Sequence, residues 1–402
     1  MSQNRRHLLY ERLSSYVLDE IRKGALRSGD RVPSEKELAR THHVSRITSM
    51  RALQDLERAG IVERVRGKGT FVAHDAERLA SQAHDGRERP RRPRRLTSKI
   101  AFLLPDVSLA YGLELLKAIE EGARKAGLGL VLARTRGLQE DEERAIERLV
   151  RTRSVDGLIV FPVNGEFYNA SLLRLALEKY PLVLVDRYLK GIAATAVYTD
   201  NAAAARELTL HVLDQGHESV AFVSSHPEHT SSIEDRLDGF RTAFSERGLG
   251  LDGQHLLTDL TGVIPSAGGG TAADHAAIDA LVERHPSISG FVTSEYWMAL
   301  LVRDALRRAG RFHRATVVCF DSPRDPLLEP RFTHIEQDER EIGRRAVDLL
   351  VAQLEGRQNP TQSIVPHRLV ASSDTDRATE AFGARRRSRP GAGTGSRASR
   401  AR

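Results

Sequence analysis

The residues best placed to do chemistry lie near the start of this 402-residue chain. Arg46 and Met50 share one face of a helical pattern, with Ile47 beside them, close to where that helix begins. Further on, Lys68 stands between Gly67 and Gly69. A cation with apolar neighbours at a helix N-terminus suits contact with base edges in a DNA groove. An arginine bonds two acceptors of a guanine edge, which discriminates by about 1–3 kcal/mol. Ile47 and Met50 have two readings. Either they touch a thymine methyl, or they are core residues of a slightly rotated helix.

Signatures of catalysis are missing. No CxxC, HExxH or P-loop pattern occurs, and no Ser, His or Asp sits in a nucleophile-elbow context. His226 and His229 share a loop, which is a weak basis for zinc. Gly268-Gly269-Gly270 lacks the Lys-Ser/Thr of a phosphate loop and reads as a flexible insertion. The single cysteine, Cys319, excludes an internal disulfide framework and reads as a small buried strand residue. No metal, no cofactor and no enzymatic activity are expected.

The elements that position the basic residues can be read locally. Ser34 and Glu37 form S-x-x-E, a capping box that starts a helix after Pro33. That helix should carry Leu38 and Ala39 inward. A turn follows at His42-His43, and Ser45 caps a second helix running to about Arg58. Ser49, Leu53 and Leu56 share its inner face. Gly60 ends it. Ile61–Arg66 and Thr70–Ala73 alternate like two short strands around the glycine-flanked lysine. Leu9, Leu13, Tyr16, Val17 and Ile21 make the apolar stripe of a supporting helix.

This arrangement is a winged helix-turn-helix, and it resembles the GntR family of bacterial repressors. The resemblance rests on VPSEKELA, VSR, RAL, L-x-x-x-G-I and GKGTFV across roughly residues 7–73. It implies that Lys36 and Arg46 contact bases and that Arg51 and Lys68 add contacts, with Lys68 at the wing tip. Ser34, Ser45, Ile47, Thr48, Met50, Gly67 and Gly69 complete the implied DNA-binding set. Met50 stands where the family usually has arginine, and Ser49 where it has an aliphatic residue.

Charge is unevenly spread. Residues 1–75 hold 15 Lys and Arg against 10 Asp and Glu, residues 76–98 hold 7 against 3, and residues 384–402 hold 7 against none. The remaining stretch, 99–383, holds 32 against 41, so the net +7 of the chain sits on the basic end and two flanking segments. That pattern fits phosphate binding at one end and an acidic, solvated domain at the other. Residues 76–98, ending RERPRRPRRLTS, read as a Pro/Arg linker, and 384–402 as a disordered Arg-rich tail. No apolar N-terminal run or span of about 18 apolar residues is present, so a cytoplasmic protein without membrane contact is expected.

From Lys99 the pattern alternates strand and helix. Ile100–Leu104, Leu130–Ala133, Gly157–Phe161, Leu182–Val185, Val220–Ser224, Gly290–Thr293 and Thr316–Phe320 read as strands. Leu113–Ala126, with Leu116, Ile119 and Ala123 on one face, reads as a helix, as do Ala202–Leu213 and Arg236–Arg247. Buried apolar runs alternating with amphipathic helices indicate parallel sheets, and these strands are too many for one short sheet. Two α/β lobes facing each other would form a cleft beyond the strand C-termini.

Residues 99–375 resemble the periplasmic-binding-protein-like sensor of LacI/GalR repressors. The carriers are DGLIVFP, LVLVDR, VYTDN, QGHESVAFVSS, DRLDGFRTAF, VVCFDS and IEQDEREIGRRAVDLL. A GntR-type head on such a sensor is similar to the arabinose-repressor subgroup. The resemblance implies a cleft lined by Ser108, Tyr111, Asn164, Arg187, Arg236, Glu295, Trp297 and Asp321, with Glu295-Tyr296-Trp297 in a loop that departs from the family's Asn-Asp. Arginine, aspartate and the only tryptophan are the types that grip hydroxyls and cover an apolar sugar face. Arg236 and Asp321 could instead form a structural ion pair, and Trp297 could simply pack.

The expected whole is a winged helix-turn-helix at 1–75, the linker, a two-lobed α/β sensor at 99–383, and the tail. The expected function is repression of carbohydrate-utilisation genes from operator DNA by a homodimer paired through its sensors, with a small sugar as effector. A purine, nucleoside or other non-sugar effector is the alternative. A secreted sugar receptor or an aminotransferase-fused regulator fits worse, for want of a signal peptide or of a cofactor-type lysine.

Overall fold

The computed structural model describes residues 13, 16–17, 20–21, 23–42, 46–58, 61–65, 69–74, 97–164, 169–261, 272–324 and 329–372. The proposed linker between 75 and 96, the insertion at 262–271 and the tail fall outside that set, as do Leu9, His43 and Gly60.

The head begins as its capping signature dictates. In helix α1 (Glu35–Thr41), Glu37 N donates to Ser34 Oγ and Ser34 N donates to a Glu37 carboxylate oxygen at 2.7 Å. Helix α2 (Arg46–Arg58) follows, and strands β1 (Val62–Val65) and β2 (Gly69–Val72) pair antiparallel as a hairpin. Leu13, Val17, Ile21, Leu38, Leu53 and Leu56 close one apolar core. Ser49 is fully buried on the inner face of α2, and its hydroxyl donates to Glu35 O at 2.7 Å. That bond lets a polar residue stand where an aliphatic one was expected. Arg31 bridges to Phe71 beside the wing.

Behind the head lie two six-stranded sheets of matching design. One runs in the order β13-β7-β6-β5-β3-β4, built from β3 (Lys99–Leu104), β4 (Gly129–Arg134), β5 (Gly157–Val160), β6 (Leu182–Val185), β7 (Thr195–Thr199) and β13 (Gln362–Val365). The other runs β14-β12-β11-β10-β8-β9, from β8 (Val220–Ser225), β9 (Leu256–Leu260), β10 (Gly290–Thr293), β11 (Thr316–Phe320), β12 (His334–Gln337) and β14 (His367–Val370). All pairings are parallel except β12 with β14, the one departure from the expected parallel sheets. The central strands are buried continuously, as both faces of such sheets are covered.

In the first lobe, helices α3 (Leu113–Lys125), α4 (Gln139–Arg151) and α5 (Ala170–Leu177) join the strands. The inner face of α3 is Leu115, Ile119 and Ala123; Leu116, expected there, is only partly buried. The second lobe holds α6 (Asn201–Asp214), α7 (Ser231–Glu246), α8 (Ala272–Arg284) and α9 (Tyr296–Arg308). Helix α7 starts at Ser231, five positions before the expected Arg236. Helix α10 (Glu339–Leu354) follows β12 of the second lobe but packs on α3 and the sheet of the first.

The chain therefore crosses between lobes at three places. Two crossings share a local solution. Asp200 ends the β7 crossing and caps α6, accepting from Ala203 N at 2.9 Å. Asp338 ends the β12 crossing and caps α10, accepting from Glu341 N at 3.0 Å. The third crossing is the short link from β13 to β14. Each lobe also turns its cleft-facing strand end through an aspartate in the left-handed region, Asp186 at φ 68° and Asp321 at φ 59°. Their amides donate to Val197 O and Ile335 O, at 3.0 and 2.8 Å. Aspartate tolerates that conformation better than most side chains.

Candidate functional site

Between the lobes, at the C-terminal ends of the strands, lies a cavity of about 320 Å³. That volume is at the lower end of the range for small-molecule sites. All eight sequence-predicted pocket residues line it. From the first lobe come Ser108 and Tyr111 after β3, Asn164 after β5 and Arg187 after β6. From the second come Arg236 on α7, Glu295 and Trp297 around the start of α9, and Asp321 after β11. One local expectation changes: Tyr296 and Trp297 are the first residues of α9, not part of a loop. Glu295 precedes that helix without a side-chain cap bond, so no capping signature marked its start.

The arginines are held by protein partners. Arg236 is buried; its Nε donates to Asn201 Oδ1 at 2.7 Å and its Nη1 to Ser294 O at 2.6 Å. Its guanidinium lies 3.8 Å from the centroid of Phe320, a close cation–π contact. No ion pair joins it to Asp321 among the described residues. Arg187 donates through Nη1 to Pro162 O at 2.7 Å, and its Nε lies 3.3 Å from Asp186 Oδ2. Burial lowers the Arg187 pKa, opposed by Asp186 and Glu295.

The carboxylates show the strain of this enclosure. Burial raises the Asp321 pKa to about 8, against the pull of Arg236. Its Oδ2 accepts from Gln337 Nε2 at 2.8 Å. Burial raises Glu295 as well, opposed by Arg187 and Arg236. Burial likewise raises Tyr111, with Asp186 and Asp321 adding to the shift. The Ser108 hydroxyl is spent inside its own loop: it accepts from Tyr111 N at 3.0 Å and donates to Tyr111 O at 3.2 Å. Ser108 therefore shapes the turn that carries Tyr111.

Several cavity-lining polar atoms are buried without a hydrogen-bond partner among the described residues: Asp106 Oδ2, Asn164 Oδ1, Ser225 Oγ, Trp297 Nε1 and Gln337 Oε1. Leaving such groups unpaired costs about 1–3 kcal/mol each, so these atoms call for polar partners. Asp106, Asp186, Ser225, Gln337, Phe161 and Phe320 also line the cavity and were not singled out from the sequence. The LVLVDR and VVCFDS pieces end alike, and that repeat was the available signal for Asp186.

In the head, Lys36 is exposed on α1, Ser34 caps it, and Met50 is partly buried outside the apolar core. Gly69 opens β2 at φ 124°, where a Cβ would meet Arg31 Nε at 3.0 Å. Arg46, Ile47, Thr48 and Arg51 belong to α2, but their side chains, together with Ser45, Gly67 and Lys68, lie outside the described set. Among the described residues, no group of three or more His, Cys, Asp and Glu could hold a metal, and no helix is long and apolar enough to cross a membrane.

Comparison with known proteins matches residues 9–72 to the bacterial regulatory proteins of the gntR family and residues 209–372 to the periplasmic binding protein-like domain. An arabinose metabolism transcriptional repressor of Halalkalibacterium halodurans is 26% identical over 63% of this chain and 64% of its own length. A ribose operon repressor of the same organism is 27% identical over 78% of this chain and 92% of its own. Among solved structures, the transcriptional regulator CelR–cellobiose complex superposes with a TM-score of 0.62 at 22% identity, covering 85% of this chain and all of that one. These matched proteins are regulators, not enzymes.

Proposed function

Because the chain is a transcriptional regulator that joins a gntR-family DNA-binding head to a periplasmic-binding-protein-like sensor domain, we propose that it represses carbohydrate-utilisation genes and that a small neutral sugar in the interlobe cavity changes its operator affinity. The observation that carries the sugar reading is the polarity of the cavity. Four carboxylates, Asp106, Asp186, Glu295 and Asp321, face it against two arginines already engaged by protein groups. An acidic effector would face those oxygens with both guanidinium groups already committed to protein partners. A polyol supplies hydroxyl donors to the carboxylates and acceptors to Trp297 Nε1, while the indole face covers its apolar side. The names of the arabinose and ribose repressors and of the cellobiose complex support the same class.

On the DNA side, Arg46, Lys36 and Arg51 with Thr48, Ile47 and Met50 read the major groove. Ser34 fixes the start of α1, and Ser45, Gly67, Lys68 and Gly69 complete the proposed DNA-contacting set. Two chains pair through their sensors and place two heads on a pseudo-palindromic site. The effector must bind the two states unequally to act at all.

Trp297 is the only tryptophan of the chain and lines the cavity, so its emission reports occupancy directly. L-Arabinose, D-ribose and cellobiose are titrated first. Saturable quenching by one of them, lost in Asp321→Ala, is the expected result. A response to nucleosides alone would replace the sugar and keep the cavity. An Asp321→Ala chain that responds fully would remove Asp321 from the site.

A further inference from the structure

The loop after β6 does two things in succession. Asp186 and Arg187 line the cavity, and the next residues reach across to the other lobe. Tyr188 N donates to Ser231 Oγ at 2.9 Å, and the Tyr188 hydroxyl donates to Asp235 Oδ2 at 2.9 Å. Lys190 Nζ lies 2.8 Å from Glu234 Oε2 and 3.0 Å from Asp235 Oδ1. Tyr188 and Lys190 belong to the lobe of β3 to β7. Ser231, Glu234 and Asp235 belong to α7 of the second lobe. Tyr188 is anchored in its own lobe by stacking on Tyr198, with ring centroids 4.7 Å apart.

These contacts are shielded. The Lys190 and Glu234 side chains are only 13% and 9% exposed, so solvent screens them far less than a surface pair. Burial works against the Lys190 ammonium, but Asp235 and Glu234 outweigh it and raise its pKa. Buried ion pairs contribute little net stability; their best-attested use is to fix register. Here the register is that of the two half-sites. Arg187 is adjacent in sequence to Tyr188, and Arg236 is adjacent to Asp235. Ser232 and Ile233 of the same helix also face the cavity.

We propose that Lys190 and Tyr188 are positioning residues that form an interlobe latch on Glu234 and Asp235, holding the two halves of the effector site in register and thereby setting the operator affinity of the chain. Neither residue needs to touch the effector. The regulatory half of the proposal rests on the reading of the cavity as the effector site; the mechanical half does not.

The test uses the full-length chain without effector. Spin labels are placed at Arg151→Cys in the first lobe and Ala309→Cys in the second, both exposed, with the buried Cys319 left in place. Interlobe distances are read by pulsed dipolar spectroscopy, and operator affinity by anisotropy. Lys190→Met should add a second distance population and change operator Kd about 5-fold or more, the lower end of ordinary allosteric coupling. Lys190→Arg should restore the parent distribution. Lys190→Met takes the cation from Glu234 and Asp235, which keep neutral donors from His229 N and the Tyr188 hydroxyl, and could unfold the chain. The triple variant Lys190→Met, Glu234→Gln, Asp235→Asn also removes the carboxylate charge and should show the same shift. Parent-like distances in the folded variants overturn the latch. Shifted distances with unchanged operator affinity overturn its regulatory role. Failure of the sugar reading would show instead as a Trp297 signal that no sugar moves, with the distances unaffected.

Discussion

Asp321 is the residue whose chemistry is most constrained by its surroundings. Its ordinary pKa is 3.8, and burial lifts it to about 8 in the folded chain. Between those values the folded state keeps a proton that the unfolded state has lost, so the Asp321 contribution to stability erodes as pH rises through that window. Asp321→Asn should therefore flatten the fall in melting temperature between about pH 5 and about pH 8 relative to the parent chain. Equal slopes for the two chains would remove Asp321 as the source. A hydroxyl-donating effector prefers the carboxylate, so its affinity should rise as pH climbs through about 8. An affinity independent of pH would mean that Asp321 does not take the effector's proton donors.

The resemblance to LacI/GalR sensors pointed to Arg236, Asp321 and Trp297, whose types suit a polyol, and all three face one cavity. What the residue scale did not disclose is who holds them. Arg236 is oriented by Asn201, 35 positions away, and by a backbone carbonyl of the loop before α9. Asp321 is oriented by Gln337, which lies one strand over in the sheet. Such partners depend on sheet order, and a linear pattern of apolar runs does not state the order.

At the scale of elements, the capping box of α1 was legible in the sequence, whereas the caps of α6 and α10 lay unread inside pieces that carried the sensor resemblance. Ser34 with Glu37 starts α1 as its spacing demands, and VYTDN and IEQDE each end a strand on an aspartate that caps the next helix. The start of α3 was correctly placed for a reason invisible locally. Its cap comes from Glu339, whose carboxylate accepts from Gly112 N at 2.7 Å and Leu115 N at 3.2 Å across 227 and 224 positions. Two element-scale substitutions follow. Ser49→Ala deletes the buried bond from α2 to Glu35 O and should cost the head about 1 kcal/mol, read from its unfolding curve. Gly239 sits where α7 meets α6, and a Cβ there would lie 2.1 Å from Ala202 O. Gly239→Ala must push those helices apart, at a cost of about 1–3 kcal/mol or more. A Gly239→Ala chain with parent-like stability would mean that the helices are less tightly joined than described.

At the scale of the molecule, two lobes of the same strand order are stitched by three crossings and a latch, with the cavity between them and a basic head at one end. The strand–helix alternation made the two-lobed class readable, because short buried runs and amphipathic helices carry distinct periods. The crossing of α10 onto the first lobe was not readable, since nothing in its own sequence states which sheet it covers. Binding by the head should be strongly salt-dependent, with each lost phosphate contact reducing the slope of log K against log salt by about 0.9. Arg46→Ala should lose preference for operator over unrelated DNA by about 1–3 kcal/mol while the Trp297 response to effector persists. Retained operator preference in Arg46→Ala would displace Arg46 from the base-reading set.

The central claim is that occupancy of the interlobe cavity changes DNA binding by the head. Fluorescence anisotropy of the full-length protein on the DNA upstream of its own gene tests it most directly, at fixed near-physiological salt, with and without the sugar that quenches Trp297. The account predicts specific, competitor-resistant binding that this sugar shifts about tenfold, equivalent to about 1.4 kcal/mol, with no shift in Asp321→Ala. Specific binding that stays unchanged while the same sugar saturates the Trp297 signal would contradict it.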